Sequence, residues 1–131
     1  MAFRLGTTAR NACVDAVGPL MNGGSIQIRT GSQPTNVSDA AGGTLLGTLS
    51  FGATAFGAGS TGTATANSIT SDTSADNSGT AGHARFLNSG GTAVADAECA
   101  QGSGVVNFDN STIVAGGVIA VSSMTITQPI S

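Results

Sequence analysis

The sequence predicts a mainly β protein, an antiparallel β-sandwich of the jelly-roll kind or a barrel, with one N-terminal α-helix. Two observations support this. Apolar residues recur with a helical period only before residue 24, and afterwards they alternate along short segments. These segments recur about every 8 to 15 residues and are separated by glycine-rich turns. The 131 residues fit one β-sandwich domain over 1–131, with residues 1–24 forming an N-terminal arm and the helix.

The helix is the first element. Thr7 or Thr8 supplies an N-cap oxygen, and one apolar stripe follows at helical spacing. We expect its members Ala9, Cys13, Ala16, Val17 and Leu20 to pack on the protein's own sheet. Because Pro19 removes a helical hydrogen bond, the helix either ends at Val17 or continues with a kink to Met21. The stripe comprises Ala9, Ala12, Cys13, Ala16, Val17, Leu20 and Met21.

Seven strands are predicted after the helix. Ser89-Gly90-Gly91 is a hairpin turn, Asn110-Ser111 is a second turn, and Phe56 anchors a loop rich in glycine and alanine. The last strand is predicted to be the longest and is capped by Pro129. The predicted strands are Ser25–Arg29, Thr44–Phe51, Thr61–Thr70, Thr80–Asn88, Thr92–Cys99, Val105–Asp109 and Val118–Thr127.

The chain is unusually poor in charge. Only 8% of its residues are charged, and lysine, tyrosine and tryptophan are absent, whereas an ordinary soluble domain is about 25% charged. A surface of serine, threonine and asparagine loses little side-chain entropy when another protein covers it. This composition favours a building block that lies against other protein.

Bulk charge and hydropathy exclude several partners. Four arginines and a net charge of −3 do not favour nucleic-acid binding. No apolar run approaches the roughly 18 residues of a membrane span. Because the start of the chain lacks the apolar stretch of a signal peptide, we expect the protein to be made in a cytosol.

No residue pattern predicts a catalytic, cofactor or metal site, and we do not expect an enzyme. His83 belongs to no triad or zinc motif, so it is interpreted as a plain strand or surface residue. Asp72 and Asp76 lie in an oxygen-rich segment that is more typical of a polar turn than of a calcium loop. Asp96 and Glu98 are interpreted as a solvated strand edge rather than an acid–base pair.

The cysteines and arginines support hypotheses about the thiols and about subunit contacts. Cys13 and Cys99 are expected to be buried, reduced thiols, with a disulfide as the alternative. The arginines are dispersed, and guanidinium groups suit ion pairs across subunit contacts. We expect the segment from Met1 to Leu5 to reach a neighbouring subunit. The candidate subunit-contact residues are Phe3, Arg4, Arg10, Arg29 and Arg85.

Four stretches together carry a family resemblance. They are Leu5–Ala12, Gln27–Pro34, Ala64–Ala81 and Ser111–Thr127. Read together, they resemble a family of small structural proteins of tailed bacteriophages. The likeness covers most of the chain, but it is a likeness of pattern with no catalytic signature.

The resemblance implies a virion protein, and within virions a capsid decoration, or cement, protein. Such a protein bridges neighbouring major capsid subunits on the outer shell, without a cofactor, and self-associates, commonly as a trimer. It would be made in the host bacterial cytoplasm. A tail, neck or fibre-associated component is the alternative within the virion. A cell- or sugar-binding module is less favoured, because the aromatic content is 4% and entirely phenylalanine.

Overall fold

The computed structural model describes residues 3–101, 106–108 and 112–128. One α-helix, α1, spans Thr7–Val17 and continues as a 3₁₀ turn over Gly18–Met21. Ten strands follow in the described part of the chain, so the predicted mainly β class with one N-terminal helix is confirmed. The strands are β1 (Ser25–Arg29), β2 (Leu45–Phe51), β3 (Thr63–Thr65), β4 (Ile69–Thr70), β5 (Gly79–Thr80), β6 (His83–Leu87), β7 (Ala93–Gln101), β8 (Val106–Phe108), β9 (Thr112–Ile113) and β10 (Val121–Thr127).

Eight strands form one sheet, in the order β3-β10-β8-β7-β6-β1-β2-β4. Its largest part, β4-β2-β1-β6-β7, is antiparallel, whereas β7 and β8 run parallel over three residue pairs. Strands β5 and β9 form a separate two-stranded sheet. Because β3 and β4 are the end strands of the main sheet, the described strands do not close into a barrel, and that alternative is wrong.

One face of the central strands forms the core. Ile26 and Ile28 of β1 are fully buried, and their partners on β6 are Phe86 and Ala84. The ring of Phe51 lies 6.5 Å from that of Phe86, measured between centroids. The period-2 alternation therefore predicted the inner face of these strands correctly.

The boundaries show where sequence pattern was sufficient. Strand β1 has the predicted limits, and the helix ends at Val17 and continues as the 3₁₀ turn to Met21. The N-cap is Gly6 and no side chain caps the helix, so the predicted threonine cap is wrong. Gly23, two residues after the end of the 3₁₀ turn, has φ 67° and adopts the left-handed conformation that favours glycine.

Longer predicted strands are divided in the structure. The segment 61–70 contains β3 and β4, and the segment 80–88 contains the end of β5 and all of β6. The nine-residue β7 is longer than the C-terminal strand, contrary to prediction, and β9 was not predicted. Because these segments consist mainly of small side chains, their sequence pattern is similar in a strand and in the loop that divides it, which explains these errors. The turn predicted at Asn110-Ser111 and the cap at Pro129 lie outside the described residues.

Candidate protein–protein interface

Polar side chains hold helix α1 against the turn over residues 59–62. Arg10 donates to two backbone carbonyl oxygens, at 2.9 Å in this turn and at 3.1 Å in the segment after β10. Asn11 and Asp15 accept hydrogen bonds from backbone N–H groups of the same turn, at 2.8 and 2.6 Å. Val14 is the only buried residue of the helix. The inner side of α1 is thus largely polar.

The apolar stripe of the helix points away from the protein. Val17 is 37% exposed and Leu20 is 56% exposed. Cys13 is half-buried, and only Met21 of the predicted stripe is fully buried. The expectation that this stripe packs on the protein's own sheet is therefore wrong. We call its exposed members the outer helix face: Ala9, Ala12, Ala16, Val17 and Leu20.

The orientation of the helix depends on contacts that are distant in sequence. Arg10 reaches a carbonyl oxygen 118 positions away, and Asp15 reaches an amide 44 positions away. Helical periodicity identifies an apolar side, but it does not show which side meets the protein. No local pattern marks the turn at 59–62 as the partner of the helix.

The N-terminal segment exposes an apolar group and a cation. Phe3 is 83% exposed, the highest value among the large apolar residues of the described chain. Arg4 is exposed and makes no hydrogen bond or ion pair with any described residue. Phe3 is therefore largely open to solvent, and the guanidinium of Arg4 has no polar partner among the described residues.

A second apolar surface, which the sequence analysis missed, lies at the turn between β9 and β10. Val114 and Val118 are each 64% exposed. The turn between them is held by Ala75, whose backbone accepts from Gly116 at 2.8 Å and donates to Gly117 at 2.9 Å. The sequence signal that could have identified this surface is the pair of valines on either side of a glycine-containing turn, because an exposed turn does not require apolar residues.

The other candidate arginines are engaged within the chain. The half-buried Arg29 lies beside Gln27, with donor distances of 3.3 and 3.4 Å to its side-chain oxygen. Arg85 makes a bidentate ion pair with Asp96, at 2.8 and 2.9 Å. The side chains of this pair are 9% and 2% exposed. Arg10 holds the helix, as described above. Among the described arginines, only Arg4 makes no hydrogen bond or ion pair with the described residues.

The ion pair on β6 and β7 corrects the interpretation of the carboxylates. Asp96 is not on a solvated edge, because β7 lies between β6 and β8. Its hydrogen bond raises the pKa of Arg85, and the negative charges of Asp96 and Asp39 add to this effect against the opposing effect of burial. Glu98, two residues further along β7, is exposed as expected.

His83 lies on β6, as predicted for a strand residue, but it is fully buried. Its Nδ1 atom is 3.1 Å from the carbonyl oxygen of Gly31, and its Nε2 atom has no hydrogen-bond partner. The backbone of Gly31 also lies so close to Gly82 that a Cβ there would lie 2.2 Å from the Gly31 oxygen. The loop after β1 therefore covers the imidazole.

The acidic turn is held by hydrogen bonds from its own backbone and from strand β2. One carboxylate oxygen of Asp72 accepts from the N–H of Ser74 and the other from that of Thr48, both at 2.9 Å. The Asp76 side chain is exposed and separate. Within the described residues, no group of three histidine, cysteine, aspartate or glutamate side chains converges to hold a metal ion, and no pocket is formed.

Cys13 and Cys99 are both free thiols and both half-buried. Burial raises the pKa of the Cys99 thiol to about 12. A thiol in this state is a poor nucleophile, because the reactive form is the thiolate.

Comparisons with protein-family models, curated proteins and solved structures found no match for this chain. Among the described residues, no helix is both long enough and apolar enough to cross a bilayer.

Proposed function

We propose that this protein is a structural component of a bacteriophage virion, and specifically a capsid decoration protein that bridges major capsid subunits on the shell. The observation that carries the proposal is the outer helix face. A chain with few large apolar residues leaves Val17 and Leu20 on its surface, and Phe3 is also highly exposed. Side chains of this kind suit burial against another protein.

The charge distribution supports the same role. Among the described residues, three of the four arginines are committed inside the chain, so few flexible charged side chains remain to be immobilised at a contact. A surface of small polar and apolar groups can be covered over a wide area at low entropic cost. This favours long-lived contacts over brief encounters.

Bridging requires more than one contact surface on each copy. The outer helix face and the valine-flanked turn belong to separate segments, 7–20 and 114–118, and both are exposed. If each binds a different neighbour, many weak contacts on one particle combine into strong attachment. The proposed partners are the major capsid protein and other copies of this chain, in a trimer, and the proposed location is the virion surface after synthesis in the host cytoplasm.

A cryo-EM map of purified particles, combined with quantitative gel densitometry, tests this proposal. Density for this chain distributed over the shell in many copies would support it. A few copies confined to the neck, tail or fibres would replace it with the alternative virion role. Particles that lack the chain altogether would overturn both.

A variant pair tests which surface attaches the protein. Leu20→Glu places a charge in the outer helix face and should reduce the copies retained on particles. Thr73→Glu adds the same charge at an exposed turn residue and should leave the copy number unchanged. Equal retention of both variants would show that the outer helix face is not the attachment surface.

A further inference from the structure

Two exposed patches of this chain are complementary in chemistry. The N-terminal patch combines Phe3, 83% exposed, with the unpaired guanidinium of Arg4. The turn patch combines Val114 and Val118, each 64% exposed, with the exposed carboxylate of Asp76. One patch therefore presents an aromatic group with a cation, and the other an aliphatic pair with an anion.

The position of Asp76 beside the two valines follows from backbone contacts. The preceding residue, Ala75, exchanges hydrogen bonds with Gly116 and Gly117 of the turn. Two residues after Asp76, the hydroxyl of Ser78 accepts from the N–H of Ala115 at 2.9 Å. The segment 75–78 thus runs along the turn, and Asp76 lies within it.

Among the described residues, the charged groups of both patches lack polar partners and their apolar groups are largely exposed. The Asp76 side chain makes no hydrogen bond or ion pair with the described residues, and only its backbone N–H is used, by the carbonyl of Leu46 at 2.7 Å. The described chain leaves Phe3 and both valines largely open to solvent.

We propose that the two patches are the two halves of a contact between copies of this chain. Phe3 of one copy packs against Val114 and Val118 of the next, and Arg4 pairs with Asp76 of that copy. Aromatic side chains and arginine are the groups that contribute most at protein interfaces. The inference goes beyond the proposed virion role, because it concerns the purified chain and does not require a particle.

The contact joins different surfaces, so it is heterologous. Each copy supplies one N-terminal patch and one turn patch, and repetition produces a closed ring or an open filament. Because the two patches are small, we expect weak association that depends on protein concentration and decreases as salt screens the Arg4–Asp76 pair.

Charge reversal tests this contact in the full-length chain by sedimentation velocity over a concentration series. Arg4→Asp places anions on both patches, and Asp76→Arg places cations on both. Each variant alone should raise the dissociation constant by about tenfold or more. An equimolar mixture of the two should associate again, because each contact between the two variants then joins opposite charges.

Glu98→Arg is the matched control, since it reverses another exposed carboxylate outside the turn patch. It should not weaken association on its own, and adding it to Arg4→Asp in the same chain should not restore association. A wild-type chain that remains monomeric at all concentrations would overturn the inference. So would charge-reversed variants that associate normally, or a mixture of the two that stays dissociated.

Disulfide trapping supplies a second measurement in a chain whose own cysteines are replaced by serine. Phe3→Cys combined with Val118→Cys should form covalent oligomers under mild oxidation. Phe3→Cys combined with Val17→Cys should not, and efficient trapping there would instead place the contact at the outer helix face. The virion role is judged separately: association without any copies on particles removes that role alone, and copies on particles without this association remove the inference alone.

Discussion

Helix α1 and strand β1 are both amphipathic, but they place their apolar sides in opposite directions. Strand β1 turns Ile26 and Ile28 into the core, where both are fully buried. Helix α1 turns its alanines outward and is attached through Arg10, Asn11 and Asp15. The difference shows that periodicity identifies an apolar side, whereas the partners available in three dimensions decide where that side points.

The largest expected effect is the difference in stability between a substitution on the apolar side of β1 and one on the outer helix face. Ile26→Ala should lower the free energy of unfolding by about 3 kcal/mol, because it leaves a cavity in the core. Leu20→Ala removes a side chain of similar size from the outer helix face and should change the free energy of unfolding by less than about 0.5 kcal/mol. Urea denaturation of both variants provides the measurement. Equal losses would mean that Leu20 is buried in the isolated protein.

The next effect concerns the polar side of the sheet. Asp96→Ala should lower the free energy of unfolding by about 2 to 3 kcal/mol, because Arg85 is then left buried without its partner. Glu98 is an exposed carboxylate on the same strand. Its replacement, Glu98→Ala, should change the free energy of unfolding by less than about 0.5 kcal/mol. The comparison is made at neutral pH, where the guanidinium of Arg85 is protonated with or without Asp96. Similar effects of the two substitutions would contradict a special role for the buried pair.

A smaller effect tests the polar attachment of the helix. Arg10→Met keeps much of the side-chain volume but removes the hydrogen bonds to two backbone carbonyls. We expect a loss of about 1 to 2 kcal/mol and faster amide hydrogen exchange confined to residues 7–17. Arg4→Met has no such bonds to lose and serves as the control. Unchanged exchange in the Arg10 variant would show that the hydrogen bonds of Arg10 are not needed to hold the helix.

The smallest effect appears in thiol chemistry. Burial raises the folded-state pKa of Cys99 to about 12 from 9.0, so a Cys13→Ser variant should react slowly with thiol reagents at pH 8. A Cys99→Ser variant, which keeps only Cys13 at the border of the outer helix face, should react faster. Because the unfolded chain ionises Cys99 first, stability should fall as pH rises from about 9 towards 12. Equal labelling rates would contradict the burial of Cys99.

Some features of the fold could be predicted because local physics dominates them. The alternation Ser25-Ile26-Gln27-Ile28-Arg29 predicted β1 with its observed limits. Pro19 predicted that the helix ends at Val17 or is kinked to Met21, and the α-helix does end at Val17. The divided strands could not be predicted, because threonine, alanine and glycine alternate almost as well in a loop as in a strand. The charged residues were misread where their partners lie on another element, as for Asp96 and Arg85.

The candidate interface was predicted only in part. Phe3 and Arg4 were predicted as subunit contacts from their position and chemistry. In the structure Phe3 is largely exposed, and Arg4 makes no hydrogen bond or ion pair with the described residues. The turn flanked by Val114 and Val118 was missed, because two valines resemble core residues until their surroundings are known. Arg10, Arg29 and Arg85 were grouped with Arg4 by type alone, although their contacts within the chain differ.

Composition and periodicity alone determined the mainly β class, the single N-terminal helix and the low surface charge, because these depend on neighbouring residues and on sums over the chain. Only the tertiary structure decided which side of the helix is exposed, which arginine remains free, and which turn presents Asp76. Those outcomes depend on hydrogen bonds and ion pairs between residues far apart in sequence, and no local pattern specifies such partners.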